Sequence, residues 1–196
     1  MRDPNCKKCY LGQQDHVITH CVWGHGNLKS KLVLIGEAPG ENEDKGGMPF
    51  IGRAGDLLNE CLSLSKINRP DIYITNPLKC RPKDNKLPPD DILKVCSKEC
   101  RPYLDEELKQ INPMYIILLG STPLKLLTGY SPITPYVNKK VGYKTYVTWH
   151  PSYVLRNLEM KKDLVYLFSL IRDKIEKGEE DVEVLTFWKG DKYVND

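Results

Sequence analysis

The 196-residue chain has no apolar run approaching the roughly 20 residues that cross a bilayer, which excludes a membrane-spanning helix. Its opening stretch, MRDPNCKKCY, lacks the apolar core of a secretory signal, so a soluble protein of the cytoplasm is expected. No period repeats along it and no segment is of low complexity, which sets aside solenoids and biased linkers. Charge of one sign is not in large excess either. Lys and Arg number 29 against 26 Asp and Glu, and a net +3 permits contact with a polyanion without requiring it. A dinucleotide fingerprint is missing. The glycine loop GEAPGENED (36–44) is not G-x-G-x-x-G, and its carboxylates would repel a pyrophosphate.

What is present in quantity is cysteine: Cys6, Cys9, Cys21, Cys61, Cys80, Cys96 and Cys100. A reducing compartment does not maintain structural disulfides, and an odd count argues against a full disulfide framework. Cys61 shares a helical apolar period with Leu57, Leu58, Leu62 and Leu64 and reads as core. Cys21, between His20 and Val22, carries no spacing signal and reads as structural. Cys6-x-x-Cys9, Cys80 and the pair Cys96/Cys100 remain as candidate ligands.

Apolar runs at 31–36 (KLVLIG), 71–75 (DIYIT), 114–120 (MYIILLG) and 144–149 (KTYVTW) predict strands. Helical periods cover 53–65, 90–111, 121–129 and 161–178. The alternation predicts one α/β domain over residues 1–178, with a mostly parallel sheet between helices, and a charged tail at 179–196. Ligands of such sheets bind outside the carboxyl ends of the strands. There stand GEAPGENED and MPF, then TNPLKC, then HPSYVLRN. They offer Glu37 as a carboxylate, Phe50 as a flat face, Asn76 as an amide and His150 as a donor. An aromatic face with one amide is how an extruded base is held and read. Each has an ordinary reading by itself: Glu37 as a solvated loop carboxylate, Phe50 as core, Asn76 as a turn residue, His150 as a strand cap. Their joint occurrence favours a nucleobase pocket.

GEAPGENED, GMPFIGRAG, TNPLKCRP and HPSYVLRN, with the early Cys-x-x-Cys, occur in order over about residues 6 to 170. This set resembles the family 4 uracil-DNA glycosylases, the iron-sulfur type. The resemblance implies a three-layer α/β sandwich with a four-stranded, mostly parallel sheet flanked by helices. It also implies a [4Fe-4S] cluster, and hydrolysis of the N-glycosidic bond of deoxyuridine in DNA to leave an abasic site in base excision repair. By the same resemblance Glu37 positions or activates water and stabilises an oxocarbenium-like sugar. Ala38 turns a backbone amide to the uracil, Phe50 stacks on it, and Asn76 reads its edge and refuses cytosine. His150 donates to O2 of the departing base. Gly40 is too small to reject the thymine methyl group; the sequence offers Glu43 or Glu41 instead, and Glu43 is the candidate to close that side. Leu155 and Arg156 are candidates to fill the space an extruded base vacates. Arg53, Lys79, Arg81 and Arg156 are candidates to neutralise phosphates.

The resemblance assigns Cys6, Cys9 and Cys80 to the cluster, with Cys100 as fourth ligand and Cys96 as the alternative. Cys96 reproduces the family's spacing counted from Cys80; Cys100 fits counted back from the next strand. They lie one helical turn apart, so both face one way. Four thiolates also suit zinc, although a second closely spaced pair is missing. Two rival readings follow: a non-catalytic DNA-binding or replication-associated module of this fold, and a four-cysteine zinc protein that binds nucleic acid. An N-terminal helix seen in many relatives is expected to be short or absent. The loop 80–89 has no histidine, so no covalent DNA adduct is expected, and no lysine is placed as an amine nucleophile, so neither is lyase activity. The expected partners are uracil-containing DNA and replication or repair proteins, with the chain a monomer and no membrane contact. Phe187 and Trp188 in the tail either pack back on the body or mark a partner site.

Overall fold

A computed structural model describes residues 3–180; Phe187 and Trp188 lie outside the described residues. The four apolar runs form the parallel centre of the sheet: β2 (Leu32–Ile35), β3 (Tyr73–Thr75), β4 (Tyr115–Leu119) and β6 (Thr145–Thr148). Antiparallel edges are added by β1 (His25–Gly26) and β5 (Lys139–Gly142), giving the order β1-β3-β2-β4-β6-β5. The sheet therefore has six strands where the resemblance implied four. The two extra strands left no apolar pattern: β1 is two exposed residues, and of KKVG only Val141 is buried. Edge strands need no second buried face.

Alternation along the strands builds two cores. Leu32 and Leu34 face α2 (Arg53–Leu64) and α6 (Lys161–Glu176), where Leu58, Leu62, Leu164, Leu167 and Phe168 are fully or almost fully buried. Val33 and Ile35 face α3 (Asp90–Ile111) and α4 (Ser121–Thr128), meeting Leu104, Ile111, Leu124 and Leu127. This is the expected three-layer sandwich. Two short helices at the carboxyl ends of the strands complete it, α1 (Glu41–Gly46) and α5 (Pro151–Val154). Among the described residues no helix is long and apolar enough to cross a membrane.

Between sheet and α3 lies a buried ion pair. Lys79 Nζ is 2.7 Å from Glu107 Oε2, with side chains 0% and 2% exposed. Thr75 closes a triangle, donating to Glu107 Oε2 at 2.6 Å and accepting from Lys79 at 2.8 Å, while the Gly24 amide donates to Glu107 Oε1 at 2.7 Å. Lys79 is thus not the phosphate-facing cation expected from its motif. Composition reveals a charge, not its direction, and residues 72–80 are buried without interruption.

Removing one partner of such a pair leaves the other charge uncompensated, at about 3–5 kcal/mol. Glu107→Ala is expected to lower unfolding stability by about that amount in chemical denaturation. Glu41→Ala, which breaks the exposed Lys45–Glu41 pair, is expected to leave the midpoint unchanged.

Candidate active site

The chain leaves β2 at Gly36, and here the absence of a side chain is required. A Cβ would lie 2.4 Å from Asn76 Oδ1 and 2.6 Å from Phe50 Cε2. The two groups expected to read a base therefore converge over one glycine, although they lie 26 positions apart in the chain. Phe50 is buried and held at φ 55, a conformation that costs energy outside glycine. Two contacts hold it there. A Cβ on Gly55, in the first turn of α2, would meet the Phe50 carbonyl oxygen at 2.0 Å, so the helix start rests on the Phe50 backbone. Glu43 supplies the second: Oε1 accepts from the Ile51 and Gly52 amides at 3.1 Å each, and Oε2 from Gly40 at 3.0 Å. Both oxygens of Glu43 thus serve the loop backbone.

Asn76 follows β3 and is 2% exposed, and its Oδ1 has no hydrogen-bond partner. A buried acceptor left unpaired costs about 1–3 kcal/mol, so its occurrence at a crevice is a sign of an incoming donor. His150 follows β6, its ring centroid 5.7 Å from that of Phe50 and tilted 33°. Its Nδ1 accepts from the Ser152 amide at 3.1 Å as the cap of α5, which assigns the proton to Nε2. Burial, and then the Arg156 charge, push the His150 pKa down to about 4. The ring is therefore a neutral Nε2–H donor at neutral pH.

Glu37 is half-buried. Its carbonyl accepts from Leu78 at 3.4 Å, and Thr122 Oγ1 donates to its Oε2 at 2.5 Å. Thr122 is a site residue the sequence did not announce, because STPLKLLTG reads only as a capped helix. Asp44 is a second. Fully buried in α1, it accepts from the amides of Ile18 and Thr19 at 2.9 to 3.1 Å, tying the N-terminal segment to the pocket loop. Ala38 packs on the cluster containing Cys9, Leu78 and Cys80.

Around the crevice, Arg53 and Arg156 are exposed. Arg81 is held by Glu41 at 3.3 Å and by Asn85. Leu155 is half-buried against the core beneath α5, while Tyr153 and Leu158 on the same segment are 37% and 64% exposed. Tyr153 stacks on Trp149 at 5.1 Å.

Six of the seven cysteines gather on the far side of Ala38, none more than 6% exposed. The Cys9 thiol contacts both Cys100 and Cys96, and Cys21 contacts Cys80 and Cys6. The neighbouring main-chain amides of Lys8, Leu11 and Gly12, Cys21, Tyr10 and Leu11, and Lys79 favour the thiolate form of Cys6, Cys9, Cys80, Cys96 and Cys100 respectively. The Tyr103 hydroxyl reaches Cys6 Sγ at 3.7 Å. Hydrogen bonds from Cys100 and Cys96 lower the Cys9 pKa, and the Cys21 thiol lowers that of Cys80. Among the described residues no three such groups stand in a ready-made metal geometry. The donor set itself, six buried thiols beside main-chain amides that favour their thiolate form, suits a thiolate-ligated centre. Cys21 belongs to this group, which its sequence position gave no reason to expect. Cys61 lies in the α2–α6 core as read, with burial raising its thiol to about 11.

The profile of the Uracil DNA glycosylase superfamily matches residues 23–169. The chain is 37% identical over 182 residues to a type-4 uracil-DNA glycosylase of Sulfurisphaera tokodaii, covering 86% of this chain and 80% of that one. It is 41% identical to the type-4 enzyme of Thermotoga maritima over 157 residues, 77% of this chain and 80% of that one. With the type-4 enzyme of Saccharolobus solfataricus it shares 36% identity over 203 aligned positions, 95% of this chain and 89% of that one.

A pKa near 4 in the folded chain, below the free value of 6.5, means that the His150 ring charges only toward pH 4. In the unfolded chain it charges near 6.5, so its share of stability is present above that pH and is lost as pH falls toward 4. Ring NMR signals of His150 are expected to stay those of the neutral Nε2–H tautomer from pH 8 to about 5.5. A ring titrating near 6.5 would contradict the assigned environment.

Proposed function

The chain belongs to the uracil DNA glycosylase superfamily, and from that premise we propose that its crevice holds a uracil extruded from DNA while the N-glycosidic bond is hydrolysed. The enzyme is a uracil-DNA glycosylase of DNA repair. The observation that carries the assignment of the pocket is the buried, unpaired Oδ1 of Asn76 beside the Phe50 ring. Uracil presents N3–H, which pairs that acceptor, and O4, which takes the amide's own N–H. Cytosine offers an acceptor at N3 and donors at N4, so it would leave both groups of Asn76 mismatched.

In the reaction the bond from C1′ to N1 breaks with its electron pair going to the base. Negative charge then spreads to O2, where the neutral Nε2–H of His150 donates without having to protonate it. The sugar gains oxocarbenium character, which the Glu37 carboxylate stabilises. Water adds to C1′, its proton passes to Glu37, and an abasic site remains. No amine takes part, so the strand is not cut by the enzyme. Phe50 stacks on the base, the Ala38 amide faces it, and Glu43 closes the thymine-methyl side through the loop it holds. Arg53 and Arg156 contact phosphates. Leu155 fills the vacated stack, with Tyr153 and Leu158 as further apolar surface beside it.

The thiol group fits a [4Fe-4S] cluster held by Cys6, Cys9 and Cys80 with Cys100 or Cys96. Such a cluster supplies a covalent tie between the N-terminal segment, the Cys80 loop and α3. We assign it no redox step.

An oligonucleotide with a single uracil, treated with alkali after incubation, is expected to break with the wild type. Glu37→Gln and Asn76→Ala are each expected to slow excision by about 10²- to 10⁴-fold. An iron-loaded wild type that gives no breaks would point instead to a non-catalytic DNA-binding module. Iron and acid-labile sulfide are expected together in the purified protein and to fall in Cys9→Ser; zinc without sulfide would contradict the cluster.

A further inference from the structure

Thr122 is the second residue of α4, 9% exposed, and its hydroxyl ignores its own helix. No side chain caps α4; the hydroxyl instead crosses to Glu37 Oε2 at 2.5 Å, within the range of a charge-assisted O–H···O⁻ bond. Among the described residues no other hydrogen bond and no cation reaches the Glu37 carboxylate. The helix has no acidic residue in its first turn, so Glu37, from a different strand end, supplies the negative charge that its positive end favours. The placement of that helix start is specific. Gly120, at φ 102, is the residue before α4, and a Cβ there would lie 2.8 Å from His150 Cβ. The start of α4 therefore sits between the two groups that act on the glycosidic bond, with the Gly120 backbone beside His150 and the Thr122 hydroxyl on Glu37.

From this geometry we propose that Thr122 is the positioning residue of Glu37. The inference rests on the reading of Glu37 as the group that takes the water's proton. With Oε2 held by the hydroxyl, the carboxylate is fixed in one rotamer and Oε1 is left as the oxygen that meets the water. The water's oxygen bonds to C1′ as the C1′–N1 pair departs with uracil, and its proton goes to Oε1. Thr122 touches neither substrate nor water. Its contribution is orientation, and this type of contribution appears in kcat more than in substrate binding.

The test is a cycle of Thr122→Val, Thr122→Ser and Glu37→Gln under steady-state and single-turnover conditions on uracil DNA. Thr122→Val, which keeps the shape and loses the hydroxyl, is expected to lower kcat by about 10- to 100-fold with KM within about twofold. Thr122→Ser is expected to restore kcat to within about threefold of wild type. In the Glu37→Gln background, Thr122→Val is expected to add less than about a twofold loss, because the two act as one unit. A loss of the same size in both backgrounds, or a Ser variant as slow as the Val variant, would overturn the positioning role alone. A fully active Glu37→Gln would overturn the reading of Glu37 itself and the proposal with it.

Discussion

The pocket and the cysteine group depend on one buried triangle, Lys79, Glu107 and Thr75. Burying two charges costs several kcal/mol per ion, and good geometry with full hydrogen bonding is needed to offset it. The triangle meets that requirement: the lysine donates to Glu107 and Thr75, and Glu107 also accepts from the Gly24 amide. Its position explains why it matters. Thr75 is the last residue of β3 and the neighbour of Asn76; Lys79 immediately precedes Cys80; Glu107 rides on α3, which carries Cys96 and Cys100. Gly24 lies just after the segment that holds Cys6, Cys9 and Cys21. A single polar unit thus fixes the Asn76 amide, the loop cysteine and two separate chain segments relative to one another.

The acidity of the loop after β2 has a similar logic. Four carboxylates stand between Gly36 and Lys45, in a place where phosphate-binding loops are neutral or basic. Glu43 and Asp44 spend their charge on backbone amides, one inward on the Phe50 turn and the other outward on Ile18 and Thr19. Glu41 pairs with Lys45 and Arg81 on the surface. Glu37 keeps Oε1 without a hydrogen bond among the described residues. The carboxylates build a loop that holds an aromatic ring in a strained conformation against a helix start.

Much of this was legible in the sequence. The four central strands and the helices α2, α3, α4 and α6 followed from apolar period, because both faces of the sheet are buried and the signal is continuous there. Glu37, Phe50, Asn76 and His150 could be grouped because parallel strands all end on one side. What stayed hidden has short range in sequence or none at all. β1 and β5 are edges with almost no buried side chains. Lys79 looked like a surface cation because burial by a partner 28 residues away leaves no local mark. Cys21 and Thr122 join their groups through folding alone: neither has a spacing, and Thr122 was masked by a plausible role as helix start.

The central claim is that the unpaired Oδ1 of Asn76 reads a base through its N3–H, and product inhibition tests it most directly. Excision from uracil DNA is measured with added free uracil, 3-methyluracil or cytosine. The account predicts inhibition by uracil and none by 3-methyluracil or cytosine at equal concentration, since neither of these carries a hydrogen at N3. Equal inhibition by uracil and 3-methyluracil would show that Asn76 does not read that edge.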